Sequence, residues 1–279
     1  MANLKFRQVD VFTAVPFKGN PLAVVVGADA LPDDEMQRIA NWTNLSETTF
    51  LCRPTEADAD YRVRIFTPAR ELPFAGHPTL GTCAVWLGLG NTPKRAHIVQ
   101  QCGVGLVRIK PDGERLAFAA PPQLKSGPVD ADLLARIAKS LGVAPQAIKA
   151  SQWIDNGPGW VGVMLGSRAE VLAINRDFSA LPGQPVGVVA PCDPARDGTD
   201  TQFEVRAFVG WNASEDPVTG SLNASLAQWL IGAGIAPPRY VASQGTAIGR
   251  AGRIHVAREG NDIWIGGDVA KVIEGTITV

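Results

Sequence analysis

Two short segments of this sequence place polar and flexible residues where a helix can begin. Gly76-His77-Pro78-Thr79-Leu80-Gly81-Thr82-Cys83 follows the strand-like Val63-Arg-Ile-Phe66, and Glu215-Asp216-Pro217-Val218-Thr219-Gly220-Ser221-Leu222 follows Val205-Arg-Ala-Phe208. Setting His77 on Asp216 also aligns Pro78 with Pro217, Gly81 with Gly220 and Thr82 with Ser221, at an offset of 139 positions in a chain of 279 residues. An offset of half the chain, with a similar strand before each copy, reads as an internal duplication. Proline is favoured at the first helical position, where its missing N–H has no partner to lose. The pattern therefore predicts His77 and Asp216 at the N-caps of two helices.

Such helix starts could bind an anion. The first N–H groups of a helix have no partner within it, and the helix dipole adds partial positive charge there. Gly81 and Gly220 would let a ligand or neighbouring backbone approach closely. No Asp, Glu, Lys or Arg occurs from Leu72 to Pro93 or from Pro217 to Pro238, so both helices read as buried on every side. Two facing helix starts could hold a carboxylate-bearing molecule. Ordinary capping by His77 and Asp216 would give the same pattern. Glu47, within Asn44-Leu-Ser-Glu-Thr-Thr-Phe50, comes where a surface helix gives way to an apolar strand, and spacing alone does not separate it from a solvated loop carboxylate.

The elements that position these residues are short and mostly extended. Gln8–Thr13, Pro21–Val26, Thr48–Cys52, Tyr61–Phe66, His97–Gln101, Gly105–Lys110 and Arg115–Ala119 read as strands in the first half, with a hairpin turn at Lys110-Pro-Asp-Gly-Glu114. Gly159–Leu165, Val186–Ala190, Thr201–Val209, Arg253–Arg258, Asp262–Gly266 and Lys271–Thr278 do so in the second. Helices are predicted at Asp33–Trp42, Asp130–Leu141 and Glu170–Phe178, and the proline-rich stretch from Ala119 to Pro128 reads as a linker.

Composition narrows the class. Apolar residues are 46% and charged residues 19%, which argues against disorder, and 29 Gly with 21 Pro suit a turn-rich, strand-rich protein rather than a helical bundle. The net charge of -1 gives no basic surplus for nucleic acid. No apolar stretch reads as a membrane span or a signal peptide, so a cytoplasmic protein without membrane contact is expected. Cys52, Cys83, Cys102 and Cys192 lie far apart, and with His77, His97 and His255 they form no zinc-ligand spacing. Gly245-Thr-Ala-Ile-Gly249-Arg-Ala-Gly252 lacks the dinucleotide-binding spacing and reads as a loop. His97 and His255 fall in strand-like segments and read as structural.

Several of these motifs, in this order, resemble the phenazine-biosynthesis PhzF-like isomerase family from end to end. They are Val9-Asp-Val-Phe12, Phe17-Lys-Gly-Asn-Pro-Leu-Ala-Val24, the Asn-Leu-Ser-Glu-Thr run at Glu47, Phe66-Thr-Pro, the two segments at His77 and Asp216, and Gln244-Gly-x-x-x-Gly249-Arg-x-Gly252. The resemblance implies an α+β fold like that of diaminopimelate epimerase: two pseudo-symmetric lobes, each a mostly antiparallel β-barrel around a central helix, with the site in the cleft between. The lobes are expected over residues 1–122 and 123–279, with the last strand, about 267–279, packing back on the first.

The same resemblance implies an isomerase that moves a proton without metal or other cofactor, acting on a small carboxylate-bearing substrate, and it implies a homodimer. Glu47 matches the family's acid/base carboxylate, while His77 and Asp216 match residues that orient the substrate and exchange protons with it. Gly76, Gly220 and Ser221 match substrate-binding positions near the helix openings. A carboxyl group in a poorly solvated cleft can serve as base and then acid near neutrality, and helix-start N–H groups can stabilise developing negative charge. Two further readings stay open: a metabolite-binding protein without turnover, and an amino-acid racemase or epimerase. The two-cysteine form of the latter is disfavoured, because the helix openings carry His77 and Asp216 rather than thiols.

Overall fold

The computed structural model describes residues 2–210 and 213–279. The chain divides into two compact units, Met1–Ala119 with Gly266–Val279, and Ala120–Ile265. It is a mixed α+β protein dominated by sheet, with few helices.

The first unit begins with β1 (Asn3–Val11) and β2 (Asn20–Val26), then α1 (Asp33–Thr43), β3 (Thr48–Cys52), β4 (Tyr61–Phe66) and β5 (Glu71–Leu72). After them come α2 (Gly76–Gly88), β6 (Ile98–Cys102), β7 (Gly105–Asp112) and β8 (Arg115–Ala119). The second unit contains β9 (Lys125–Gly127), α3 (Ala131–Leu141), β10 (Ala150–Asp155), β11 (Val161–Met164), α4 (Arg168–Leu172) and β12 (Val186–Pro191). It continues with α5 (Pro194–Asp197), β13 (Phe203–Val209), β14 (Ser214–Asp216), α6 (Gly220–Gly232), β15 (Arg239–Gln244) and β16 (Gly252–Glu259). Last come β17 (Asp262–Gly267) and β18 (Val269–Thr278); β18 pairs antiparallel with β1.

One pattern of pairing occurs twice. In the first unit β1 and β2 are antiparallel, β2 and β3 parallel, β3 and β4 antiparallel, β4 and β6 parallel, and β6 and β7 antiparallel. In the second, β10 and β11 are antiparallel, β11 and β12 parallel, β12 and β13 antiparallel, β13 and β15 parallel, and β15 and β16 antiparallel. In chain order a helix lies between the strands of each parallel pair, which no tight turn can join: α1 between β2 and β3, α2 between β4 and β6, α4 between β11 and β12, and α6 between β13 and β15. The short strands β5 and β14 return along β4 and β13, and a 13-residue helix follows each.

Those two helices are apolar because they are enclosed. Ten residues of α2 and ten of α6 are buried. Helix α2 packs against β1, β2, β3, β4, β8 and β18. It comes close because Gly81 has no side chain: a Cβ there would lie 2.5 Å from Leu22 Cδ2 and 2.9 Å from Val11 Cγ2. In the second unit Gly187 of β12 makes room in the same way, since a Cβ there would lie 2.2 Å from Leu222 Cδ1 of α6. Gly81 thus serves helix–strand packing.

Three sequence expectations are corrected. The stretch read as a linker contains β9, whose Lys125–Gly127 pairs with Asp155–Trp153 of β10, so part of it is sheet. The helix expected over Glu170–Phe178 ends at Leu172; a capping box of Ser167 and Glu170 starts it early, and Phe178 begins a separate 3-10 turn. The strand β10 and the strand β15, which the sequence reading passed over, are both present. The hairpin at Lys110–Glu114 forms as expected, with Asp112 opposite Arg115.

Candidate functional site

Glu47 lies in the turn that joins α1 to β3. Helix α1 ends at Asn44 in the left-handed conformation, with φ 54°, and β3 starts one residue after Glu47. Hydroxyls lock this turn on both sides. Thr43 Oγ1 and Thr48 Oγ1 are 2.7 Å apart. One residue further on, Thr82 of α2 donates its hydroxyl to Thr49 Oγ1 at 2.9 Å, which ties β3 to the helix.

That tie brings Glu47 to His77. Glu47 Oε2 stands 3.5 Å from His77 Nδ1, with Glu47 16% and His77 4% exposed. Asn20 Nδ2 lies 3.4 Å from the same nitrogen. Burial drives the His77 pKa from 6.5 down to about 3, only partly opposed by the Pro21 carbonyl. The imidazole is therefore neutral at physiological pH, and its contact with Glu47 is a polar contact rather than an ion pair. Asn20 is placed by its neighbour: the Gly19 N–H donates to buried Asp10 Oδ2 at 3.0 Å, and a Cβ on Gly19 would lie 2.2 Å from the Val11 carbonyl. The Lys18-Gly-Asn-Pro21 run was visible in the sequence as a motif, but nothing in its composition pointed to His77.

His77 is the second residue of α2, which starts at Gly76 after an extended Ala75 at the N-cap. The expectation of His77 as N-cap is thus off by two positions. Pro78 sits third, where its missing N–H still falls among those without an intrahelical partner, so starting the helix two residues earlier loses nothing.

In the second unit Asp216 is also not a cap. It ends β14, paired with Ala207 of β13, and α6 waits for Gly220, with Thr219 at the N-cap. The Thr219 hydroxyl donates to Asp216 Oδ2, so the cap side chain serves the carboxylate and makes no capping bond to the helix. Ser221, second in α6, accepts the Trp160 indole N–H on Oγ at 3.3 Å, and its carbonyl accepts Asn156 Nδ2 at 3.0 Å. Neither α2 nor α6 has a side-chain capping bond, so the N–H groups of Gly76 and His77, and of Gly220 and Ser221, belong to uncapped first turns.

The two helices also correct the duplication offset. Gly76 and Gly220 both open 13-residue helices, which makes the spacing 144 rather than 139. On that spacing Glu71-x-Pro73-x-x-Gly76 matches Glu215-x-Pro217-x-x-Gly220, and His77 falls on Ser221. The glutamates make the same bond. Glu71 takes Arg64 of β4 at 2.8 and 2.6 Å, and Glu215 takes Arg206 of β13 at 3.0 and 2.6 Å.

The thiols have a different character. Burial pushes Cys83 up to about 12, and it raises Cys52, Cys102 and Cys192 as well. A thiol held protonated is a poor base or nucleophile. Among the described residues no three His, Cys, Asp or Glu side chains gather into a metal-sized group. No described helix is long and apolar enough to cross a membrane.

The family model described as "Phenazine biosynthesis-like protein" matches residues 9–275. Antisense-enhancing sequence 1 of Schizosaccharomyces pombe is 35% identical over 298 aligned residues, covering 99% of each chain. The trans-2,3-dihydro-3-hydroxyanthranilate isomerase of Pseudomonas aeruginosa is 34% identical and covers 97% of this chain and 98% of its own. A crystal structure of an Enterococcus faecalis phenazine biosynthesis protein of the PhzF family overlays all of both chains, with a TM-score of 0.83 at 27% identity. The hydroxyproline epimerase of Agrobacterium vitis shares the fold at a TM-score of 0.58 and 12% identity, over 99% of this chain and 92% of its own. With the family model spanning nearly the whole sequence and relatives named as isomerases aligned along it, the chain belongs to the phenazine biosynthesis-like (PhzF) family and is an isomerase.

Proposed function

We propose that the chain moves a proton between carbons of a small carboxylate-bearing metabolite, without a cofactor, and that Glu47 is the acid/base. The observation that carries this reading is the contact of Glu47 with a buried, neutral imidazole. As carboxylate, Glu47 removes a proton from carbon and the electron pair passes into an enolate-like system. As acid, it returns the proton to a different carbon and ends as it began. A neutral His77 suits both states, because Nδ1–H can face the carboxylate, and a bare Nδ1 can accept from either the acid or the Asn20 amide.

The uncapped first turns of α2 and α6 supply N–H groups for the substrate carboxylate and for charge that develops in the transition state. In this reading Gly76, Gly220 and Ser221 line the binding site, and Asp216 is the second polar group that orients the substrate. The finer architecture goes with it: two pseudo-symmetric lobes, each a β-barrel around its helix (α2 or α6). A homodimer is part of the same proposal, and light scattering tests it.

The first compound to test is trans-2,3-dihydro-3-hydroxyanthranilate, named for the Pseudomonas relatives at 34% identity. In D₂O the protein should place deuterium on a ring carbon of it, or of another small unsaturated carboxylate that it accepts. Glu47→Gln should lower kcat about 10²–10⁴-fold with folding and ligand affinity intact. Full turnover in that variant refutes the role of Glu47, and binding without deuterium uptake makes the protein a binder.

A further inference from the structure

Each unit buries one glutamine completely at the same place in its repeat, Gln100 on β6 and Gln244 on β15. The spacing of 144 is the one that separates Gly76 from Gly220. Gln100 donates Nε2 to Thr79 Oγ1 at 2.9 Å and accepts the Tyr61 hydroxyl at 3.0 Å. Thr79 is the fourth residue of α2, so this bond ties the body of the helix to its strands.

Gln244 is used differently. Its Nε2 donates to the Asp216 carbonyl at 3.1 Å and to Thr219 Oγ1 at 3.0 Å. Its Oε1 accepts the Thr219 N–H at 3.1 Å and Asn223 Nδ2 at 2.8 Å. A primary amide has two N–H donors and two acceptor lone pairs, so its capacity is filled. The partners also fix its orientation. Turned over, the amide would set oxygen against the Asp216 carbonyl and NH₂ against the Thr219 N–H. Because Thr219 Oγ1 already receives a hydrogen from Gln244, its own hydrogen goes to Asp216 Oδ2. Asp216 is thus held twice, by its carbonyl directly and by its carboxylate through Thr219.

We propose that Gln244 is a positioning residue for the reaction put forward above, orienting the Asp216 carboxylate and the opening of α6 through Thr219. This rests on that reading of the site. The Gln244-Gly motif, which the proposed chemistry leaves unused, then sets the geometry of a side chain that meets substrate, without itself touching it.

The test compares variants by kcat, KM and pH profile, with trans-2,3-dihydro-3-hydroxyanthranilate in D₂O. Gln244→Glu keeps the shape, but a neutral acid has one O–H where the amide has two N–H, and the ionised form has none. Its kcat should fall about tenfold or more, with KM within about threefold. Activity should partly recover as the pH is lowered and the acid reprotonates, a limb that wild type lacks. Thr219→Ser, which keeps the hydroxyl, should retain most of kcat, and Thr219→Val should lose as much as Gln244→Glu. A Gln244→Glu enzyme with wild-type kcat and pH profile, altered only in its unfolding temperature, overturns the proposal. So does Thr219→Val with unchanged kcat, and the Thr219 pair decides the matter if Gln244→Glu fails to fold. Glu47→Gln is measured alongside. If it stays fully active, or if wild type turns over no substrate, the acid/base reading fails and takes this inference with it. If Glu47→Gln is dead while the Gln244 and Thr219 variants are normal, only the positioning role fails.

Discussion

Asn20 and Glu47 approach the same atom, His77 Nδ1, at 3.4 and 3.5 Å, one as a donor amide and the other as a carboxylate. A single ring nitrogen cannot accept from the amide and donate to the carboxylate at once, so the state of Glu47 and the tautomer of His77 are coupled.

Asn20→Asp tests that coupling. It replaces the amide by a second carboxylate beside the ring, and an opposite charge at this distance favours the imidazolium. The His77 pKa should rise from about 3, as followed by the ring resonances in an NMR titration. With the tautomers no longer balanced, kcat should fall by about tenfold or more. An unmoved His77 titration would show that Asn20 does not address the ring.

Acid stability supplies a second prediction. His77 has a folded pKa near 3 and an ordinary value of 6.5, so between these pH values the unfolded chain binds the extra proton. Its contribution to stability is fully present above about pH 6.5 and is lost as the pH falls toward 3. The slope from this one group approaches about 1.4 kcal/mol per pH unit. Urea unfolding of wild type and His77→Gln at a series of pH values should show a flatter acid limb in the variant; parallel limbs would contradict the depressed pKa.

The sequence carried the repeat but misplaced its register, and the reason is physical. Proline and glycine are so frequent here that Pro78 on Pro217 and Gly81 on Gly220 align readily at a spacing of 139. What fixes the true spacing is the pairing of β5 with β4 and of β14 with β13, together with the ion pairs Arg64–Glu71 and Arg206–Glu215. Those are long-range facts. Glu47 was legible only through family resemblance, because its meeting with His77 depends on the Thr49–Thr82 hydroxyl bond, which has no local signature. Asp216 read as a cap because proline follows it, and strand pairing with Ala207 overrode that preference. The charge-free stretches, in contrast, gave the two buried helices directly, since burial on all sides leaves no place for charge.

Thiol chemistry gives a third prediction. With Cys83 buried and raised to about 12, native protein should not be alkylated there at neutral pH. Iodoacetamide treatment should leave kcat within about twofold, because the remaining thiols belong to neither helix opening. Mass spectrometry of the treated protein identifies the cysteines modified. Loss of turnover in step with Cys83 modification would revive a thiol mechanism.

The twin ion pairs should differ sharply in worth. Arg206 and Glu215 are 7% and 10% exposed, whereas Arg64 and Glu71 are 19% and 41% exposed. Arg206 also donates Nη1 to the Val171 and Ile174 carbonyls at 3.1 and 2.7 Å. Arg206→Met would strand a buried carboxylate and two carbonyls, at about 3–5 kcal/mol. Arg64→Met leaves Glu71 in reach of water and should cost about 1 kcal/mol or less. Glu215 is the neighbour of Asp216 on β14, so Arg206→Met should also lower kcat, while Arg64→Met should not do so through Asp216. Replacing both partners, Arg206→Met with Glu215→Leu, removes the stranded charge and should recover part of the stability. It should not recover kcat if the ion pair holds β14 in register. Chemical unfolding and kcat of the three variants separate the two effects; equal losses from Arg64→Met and Arg206→Met would mean that burial does not govern them.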